Sequence, residues 1–165
     1  MMIVAAHAGT GKTYLAEMYP DKVIDFVCMP YKYLLSADKK DHEVCKAEPN
    51  LIMRPEWPDN YAAELISMRD SEEIILIPPV IPVLQMLNIE EIPYFLVYPQ
   101  REAKEAYLRR YIDRGNSETF LDIFIQGWDL FLVGMETHTG GQHIVLKPHE
   151  FLSDALAVFP LDQHG

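Results

Sequence analysis

Apolar residues gather into five short runs along this chain, at residues 2–6, 23–27, 73–77, 94–98 and 142–146. Short apolar runs bounded by turn residues read as strands buried on both faces of a sheet. Helical stretches separate them. Residues 12–19 are helix-compatible and are stopped by Pro20 and Asp21. Asp59 can cap a helix over 59–69, its carboxylate accepting from the free amides of the first turn. Residues 80–87 form a short helix that tolerates Pro82 in its first turn. A longer helix over 100–114 ends at Gly115, and Ser117 caps another that runs to about residue 135. A last helix closes the chain over 150–158. Only the polar, lysine-bearing stretch 31–57 lacks a clean period, and it reads as an irregular or partly helical excursion.

Strands alternating with helices predict an α/β fold whose parallel sheet is covered on both faces. At 165 residues and 49% hydrophobic content, the chain has the material for one core, so a single domain over 1–165 is expected. Charge sharpens the picture. Fourteen Lys and Arg stand against 25 Asp and Glu, a net of −11, which disfavours an extended nucleic-acid surface or an anionic membrane as partner. Two cysteines, Cys28 and Cys45, are too few for a disulfide framework, and the apolar runs are too short to span a membrane. A cytoplasmic protein is the expectation, and any phosphate site must be local.

Such a site is written between the first run and the first helix, as Ala6-His7-Ala8-Gly9-Thr10-Gly11-Lys12-Thr13. A phosphate loop needs small residues there because its amides must converge on phosphate oxygens at a helix N-terminus. Gly9 and Gly11 supply that freedom, with Ala8 and Thr10 completing the cradle. Lys12 would set an ammonium against the β- and γ-phosphates, and the Thr13 hydroxyl would join the magnesium ion that bridges them. Ala6 stands where the pattern usually has glycine.

On this motif and the order of its elements, the chain resembles the P-loop kinase family, especially the small nucleoside monophosphate kinases and shikimate-kinase-like enzymes. The resemblance implies a three-layer P-loop NTPase fold with strand order 2-3-1-4-5 and ATP with Mg2+ on the loop. It also implies an acceptor-binding insertion at about 31–70 and an arginine lid at about 100–119. Asp25 is then expected to orient the acceptor or to enter the metal shell. An aspartate between Ile24 and Phe26 costs free energy unless it is paired or functional. Arg110 and Arg114 share a helix side and are the candidate lid arginines, with Tyr107, Leu108, Tyr111 and Ile112 forming the inward stripe. Arg54 and Tyr61 are candidates to hold an acceptor phosphate and stack on its base, and equally to stabilise the start of the helix at 59.

Some residues are discounted. The third run ends Ile77-Pro78-Pro79, without the acid that holds magnesium in many P-loop proteins. Neither His42 with Cys45 nor His138 with His143 offers four ligands at zinc-site spacing. His7 is assigned no proton-transfer role. The expected activity is transfer of the ATP γ-phosphoryl group to a nucleoside monophosphate or similar small acceptor. A regulatory nucleotide-binding module and a polynucleotide end kinase are the alternatives, the latter disfavoured by the acidic surface.

Overall fold

The computed structural model describes residues 1–34 and 51–158. The centre of the excursion, with His42 and Cys45, lies outside the described residues. A five-stranded, all-parallel sheet forms from β1 (Met2–Ala6), β2 (Val23–Asp25), β5 (Ile74–Ile77), β6 (Tyr94–Pro99) and β7 (Gln142–Leu146). Its order is β2-β5-β1-β6-β7. These labels depart from the 2-3-1-4-5 numbering of the sequence reading because β3 (Tyr33–Leu34) and β4 (Ile52–Met53) intervene in the chain. They pair with each other, antiparallel, outside the sheet.

Successive residues of the central strands feed two separate cores. Ile3, Ala5, Ile75, Ile77 and Leu96 face one side. There they meet α3 (Asp59–Ser67), α4 (Ile81–Ile89), α5 (Lys104–Asp113) and α7 (Trp128–Glu136). Val4, Ala6, Leu76 and Val97 face the other side and meet Leu15 of α1 (Lys12–Met18) and Leu152 of a closing 3-10 turn, Leu152–Val158. Both faces are therefore dry, which is why these strands read as unbroken apolar runs. Each fully buried leucine or isoleucine contributes roughly 1.5–3 kcal/mol.

Three expected helices take a different form. The closing segment is a 3-10 turn. The helix at 100–114 begins with a 3-10 turn, Arg101–Ala103, before α5, and Gly115 ends it with φ 75°. The long helix expected from Ser117 is broken into α6 (Glu118–Leu121), a π-helical turn, Asp122–Gln126, and α7. Ser117 does cap it, accepting from the Phe120 amide at 3.2 Å. The break follows from packing: the wide turn sets Phe124 between Phe120 and Phe131, at ring centroids 4.4 and 5.2 Å apart. It closes at Gly127, where a Cβ would lie 2.5 Å from the Ile123 carbonyl oxygen. A short α2 (Met29–Lys32) follows β2. Among the described residues no helix is long and apolar enough to cross a membrane.

Candidate functional site

The loop between β1 and α1 turns at two left-handed glycines, Gly9 at φ 85° and Gly11 at φ 98°, and Gly11 caps α1 directly. Its main-chain carbonyls are all occupied. Lys12 Nζ donates to Ala6 O at 2.7 Å and, more distantly, to His7 O. Thr10 Oγ1 also donates to His7 O, at 2.8 Å. The Tyr111 hydroxyl donates to Ala8 O at 2.8 Å, and Arg110 Nη1 donates to Gly9 O at 2.9 Å. The Leu152 amide takes Thr10 O at 2.8 Å, and the Leu15 amide takes Gly11 O at 3.0 Å. The amides behave oppositely. Those of Ala8, Gly9, Gly11 and Thr13 donate to no partner among the described residues. Unpaired amides at a helix N-terminus are the kind of donors that an anion-binding loop uses.

At the rim, Thr13 Oγ1 donates to Asp25 Oδ2 at 2.9 Å, joining the first turn of α1 to the end of β2. The order β2-β5-β1 puts a whole strand between the two parent strands. The bond is possible because α1 folds back across that strand: its Leu15 shares a core with Val23, Ile74 and Leu76. A hydroxyl and a carboxylate are hard oxygen donors of the kind magnesium takes, with phosphate oxygens and water completing six. The pair fits that ion. Among the described residues no cluster of three His, Cys, Asp or Glu side chains could hold a metal without such help.

His7 lies beneath the loop, 1% exposed, in a box of aromatic rings. Trp128 and Phe124 approach it edge-on at 5.7 and 5.8 Å, with Tyr107 and Phe131 each at 6.2 Å. Burial, with a smaller contribution from the Lys12 charge, pushes its pKa down to about 3. The imidazole is neutral at ordinary pH, and no proton is available from it for transfer.

The two candidate lid arginines are engaged elsewhere in this arrangement. Arg110 Nη2 donates to Pro148 O at 2.9 Å and to Glu150 O at 3.1 Å. With its bond to Gly9, the guanidinium ties three main-chain segments together, stacked 3.7 Å from the Phe151 ring and 4.4 Å from that of Tyr107. Arg114 donates to Asn116 Oδ1 and lies over Tyr111 and Phe120, outside the loop.

Beyond β2, Tyr61 is a core residue. It is fully buried, stacks on Phe26 at 4.6 Å and donates its hydroxyl to Phe26 O. Burial pushes that hydroxyl's pKa far up, with smaller contributions from Cys28, Asp25 and Tyr31. The expected base-stacking role therefore has no open ring face to act through. Nearby Arg54 donates from Nε to Pro30 O and Tyr33 O at 3.0 and 3.1 Å. Its two terminal nitrogens have no partner among the described residues.

Sequence reasoning did not anticipate Tyr111 or the segment 148–152 at the loop. Tyr111 was legible only as part of the inward stripe of α5. Its second function depends on Gly9, where a Cβ would lie 2.8 Å from the Tyr111 ring. Compared with known proteins, the chain matches no protein-family model and no curated sequence.

Proposed function

We propose that this chain has a P-loop architecture, binds ATP with magnesium at residues 6–13, and transfers the γ-phosphoryl group to a nucleoside monophosphate or similar small acceptor. The observation that carries this reading is the polarity of the loop. Its carbonyls are engaged by side chains and amides, while the amides of Ala8, Gly9, Gly11 and Thr13 have no partner among the described residues, at the N-terminus of a helix bearing Lys12 and Thr13. Phosphates seated on those amides compete with Ala6 O and His7 O for the Lys12 ammonium, which turns from the loop to the β- and γ-oxygens. Magnesium, when bound, neutralises charge on those oxygens. Thr13 and Asp25 are the residues that would hold it, and Asp25 is also the candidate to orient the acceptor. Arg54, held through Nε against Pro30 O and Tyr33 O, is the candidate to hold an acceptor phosphate. The acceptor oxygen attacks the γ-phosphorus, the bond to the bridging oxygen breaks, and ADP leaves.

A second reading, a nucleotide-binding regulatory module, is favoured by one feature: β5 runs into Pro78 and Pro79 without an acid. The test is transfer of label from γ-labelled ATP with magnesium to pooled nucleoside monophosphates, nucleosides and small hydroxyl metabolites, with Lys12→Ala as blank. A labelled product lost in Lys12→Ala is expected. ATP binding without any product supports the regulatory module, and undiminished transfer by a folded Lys12→Ala protein refutes the mechanism.

A further inference from the structure

Helix α5 makes a contact with the loop that phosphate binding does not itself require. Two adjacent residues, Arg110 and Tyr111, reach two adjacent loop carbonyls, Gly9 O at 2.9 Å and Ala8 O at 2.8 Å. A peptide unit has two polar ends, so a carbonyl pinned outward fixes the following amide inward. The Ala8 carbonyl shares its peptide plane with the Gly9 amide, which has no partner of its own among the described residues. Released, that plane can rotate and turn an oxygen toward the phosphate, replacing attraction by repulsion. Glycine at position 9 makes such a flip cheap, because it populates both signs of φ.

We propose that Arg110 and Tyr111 are positioning residues that clamp the Ala8 and Gly9 carbonyls and so preorganise the amide cradle for a polyphosphate. The clamp rests on the phosphate-binding reading but assigns Arg110 a place behind the loop instead of over the reacting group. Its two donors have different supports. Tyr111 sits edge-to-face against Phe120 in a buried ring cluster, centroids 5.0 Å apart, so its hydroxyl can be removed without removing the ring. Arg110 is held flat between Tyr107 and Phe151 while its other amino group ties the loop to Pro148 and Glu150. The segment after β7 is thereby joined to the cradle, and the Leu152 amide reinforces it on Thr10 O.

The test uses Tyr111→Phe, Arg110→Met and Arg110→Lys in the full chain, with two readouts. The first, hydrogen exchange at loop residues 6–13, needs no ligand. The bonded amides of His7 and Thr10 are expected to exchange faster in Tyr111→Phe and Arg110→Met. The second is calorimetric affinity for MgATP and for adenosine. Tyr111→Phe is expected to weaken MgATP about tenfold, equivalent to 1.4 kcal/mol, and to leave adenosine within twofold. Arg110→Lys, which keeps one donor, is expected to recover part of the loss seen in Arg110→Met. Faster exchange with unchanged MgATP affinity would make the contacts ordinary scaffolding and overturn the clamp, as would equal losses for MgATP and adenosine. Wild-type protein that binds no MgATP while its loop still loosens in the variants would overturn the phosphate reading, and the clamp's role with it.

Discussion

Of the five described glycines at positive φ, Gly9, Gly11 and Gly115 differ in what a side chain would meet, and this separates strain from collision. Gly115, at φ 75°, has nothing within 4 Å of a Cβ. Alanine there incurs only the left-handed penalty, about 1–2 kcal/mol. Gly11, at φ 98°, adds ordinary contact with Phe151 at 3.5 Å. Gly9, at φ 85°, places the Cβ 2.8 Å from Tyr111 Cε1 and 3.3 Å from Tyr107 Cδ1, both on fully buried rings. Those rings cannot swing aside, because Tyr111 is bonded to Ala8 O and Tyr107 packs on Trp128 at 5.3 Å. Overpacking of this kind costs about 1–3 kcal/mol beyond the strain. Gly9→Ala is therefore expected to cost about 2–5 kcal/mol in all, a fall in Tm of about 4–20 °C for a chain of this size. Gly115→Ala should lower Tm by about 2–8 °C, and Gly11→Ala should lie near it. Thermal unfolding followed by circular dichroism measures all three. A Gly9→Ala midpoint within 2 °C of Gly115→Ala would refute the claim that α5 rings support the loop closely.

Two further expectations concern the rim and the buried histidine. Asp25→Asn and Thr13→Val should each raise the magnesium concentration needed for half-maximal activity about tenfold or more, and the double variant should lose little beyond either single one, since bonded partners act as a unit; additive losses in a magnesium titration would argue that they act separately. His7 takes a proton below about 6.5 when unfolded and only near about 3 when folded. Over that interval the unfolded chain binds more protons, so stability falls as pH falls, by up to about 1.4 kcal/mol per pH unit. His7→Leu should remove this component, leaving a shallower decline of Tm between pH 6.5 and 4.5, and parallel curves for the two proteins would count against a neutral, buried imidazole.

How far the sequence discloses these features depends on the range of the interaction that creates them. The five sheet strands are legible because double-faced burial leaves an apolar run, and Ser117 and Gly115 are legible because capping is local. The π-helical turn at Asp122–Gln126 is not, since no residue in it resists an α-helix. It arises from the stack of Phe120, Phe124 and Phe131, of which the last two pack on a histidine more than a hundred positions away. The same holds at the site. Gly9, Gly11, Lys12 and Thr13 declare themselves by spacing. Arg110 shows its charge, but its partners lie on the loop and after β7, which no local pattern encodes. Tyr61 misleads for the converse reason: a tyrosine near a tryptophan and an arginine looks like a base platform until Phe26 is stacked on it.

The position of Asp25 bears on how a site of this kind works without an acid after β5. That strand lies between β1 and β2 and ends in Pro78 and Pro79, so its tip offers no carboxylate. The next strand out supplies one instead, and the cost is reach. Thr13 spans it, at 2.9 Å from Asp25, because the first turn of α1 overhangs β5 on the way to the β2 edge. The same strand leads shortly into α2, whose Pro30 carbonyl accepts from Arg54 Nε at 3.0 Å. The proposed function accordingly gives this one acid two roles, toward the metal and toward the acceptor. On the proposed function, substitution of Asp25 should therefore perturb both magnesium dependence and acceptor KM, whereas Thr13→Val should perturb magnesium dependence alone. Steady-state kinetics with magnesium and acceptor varied independently would separate the two, and an acceptor KM unchanged in Asp25→Asn would confine that residue to the metal side.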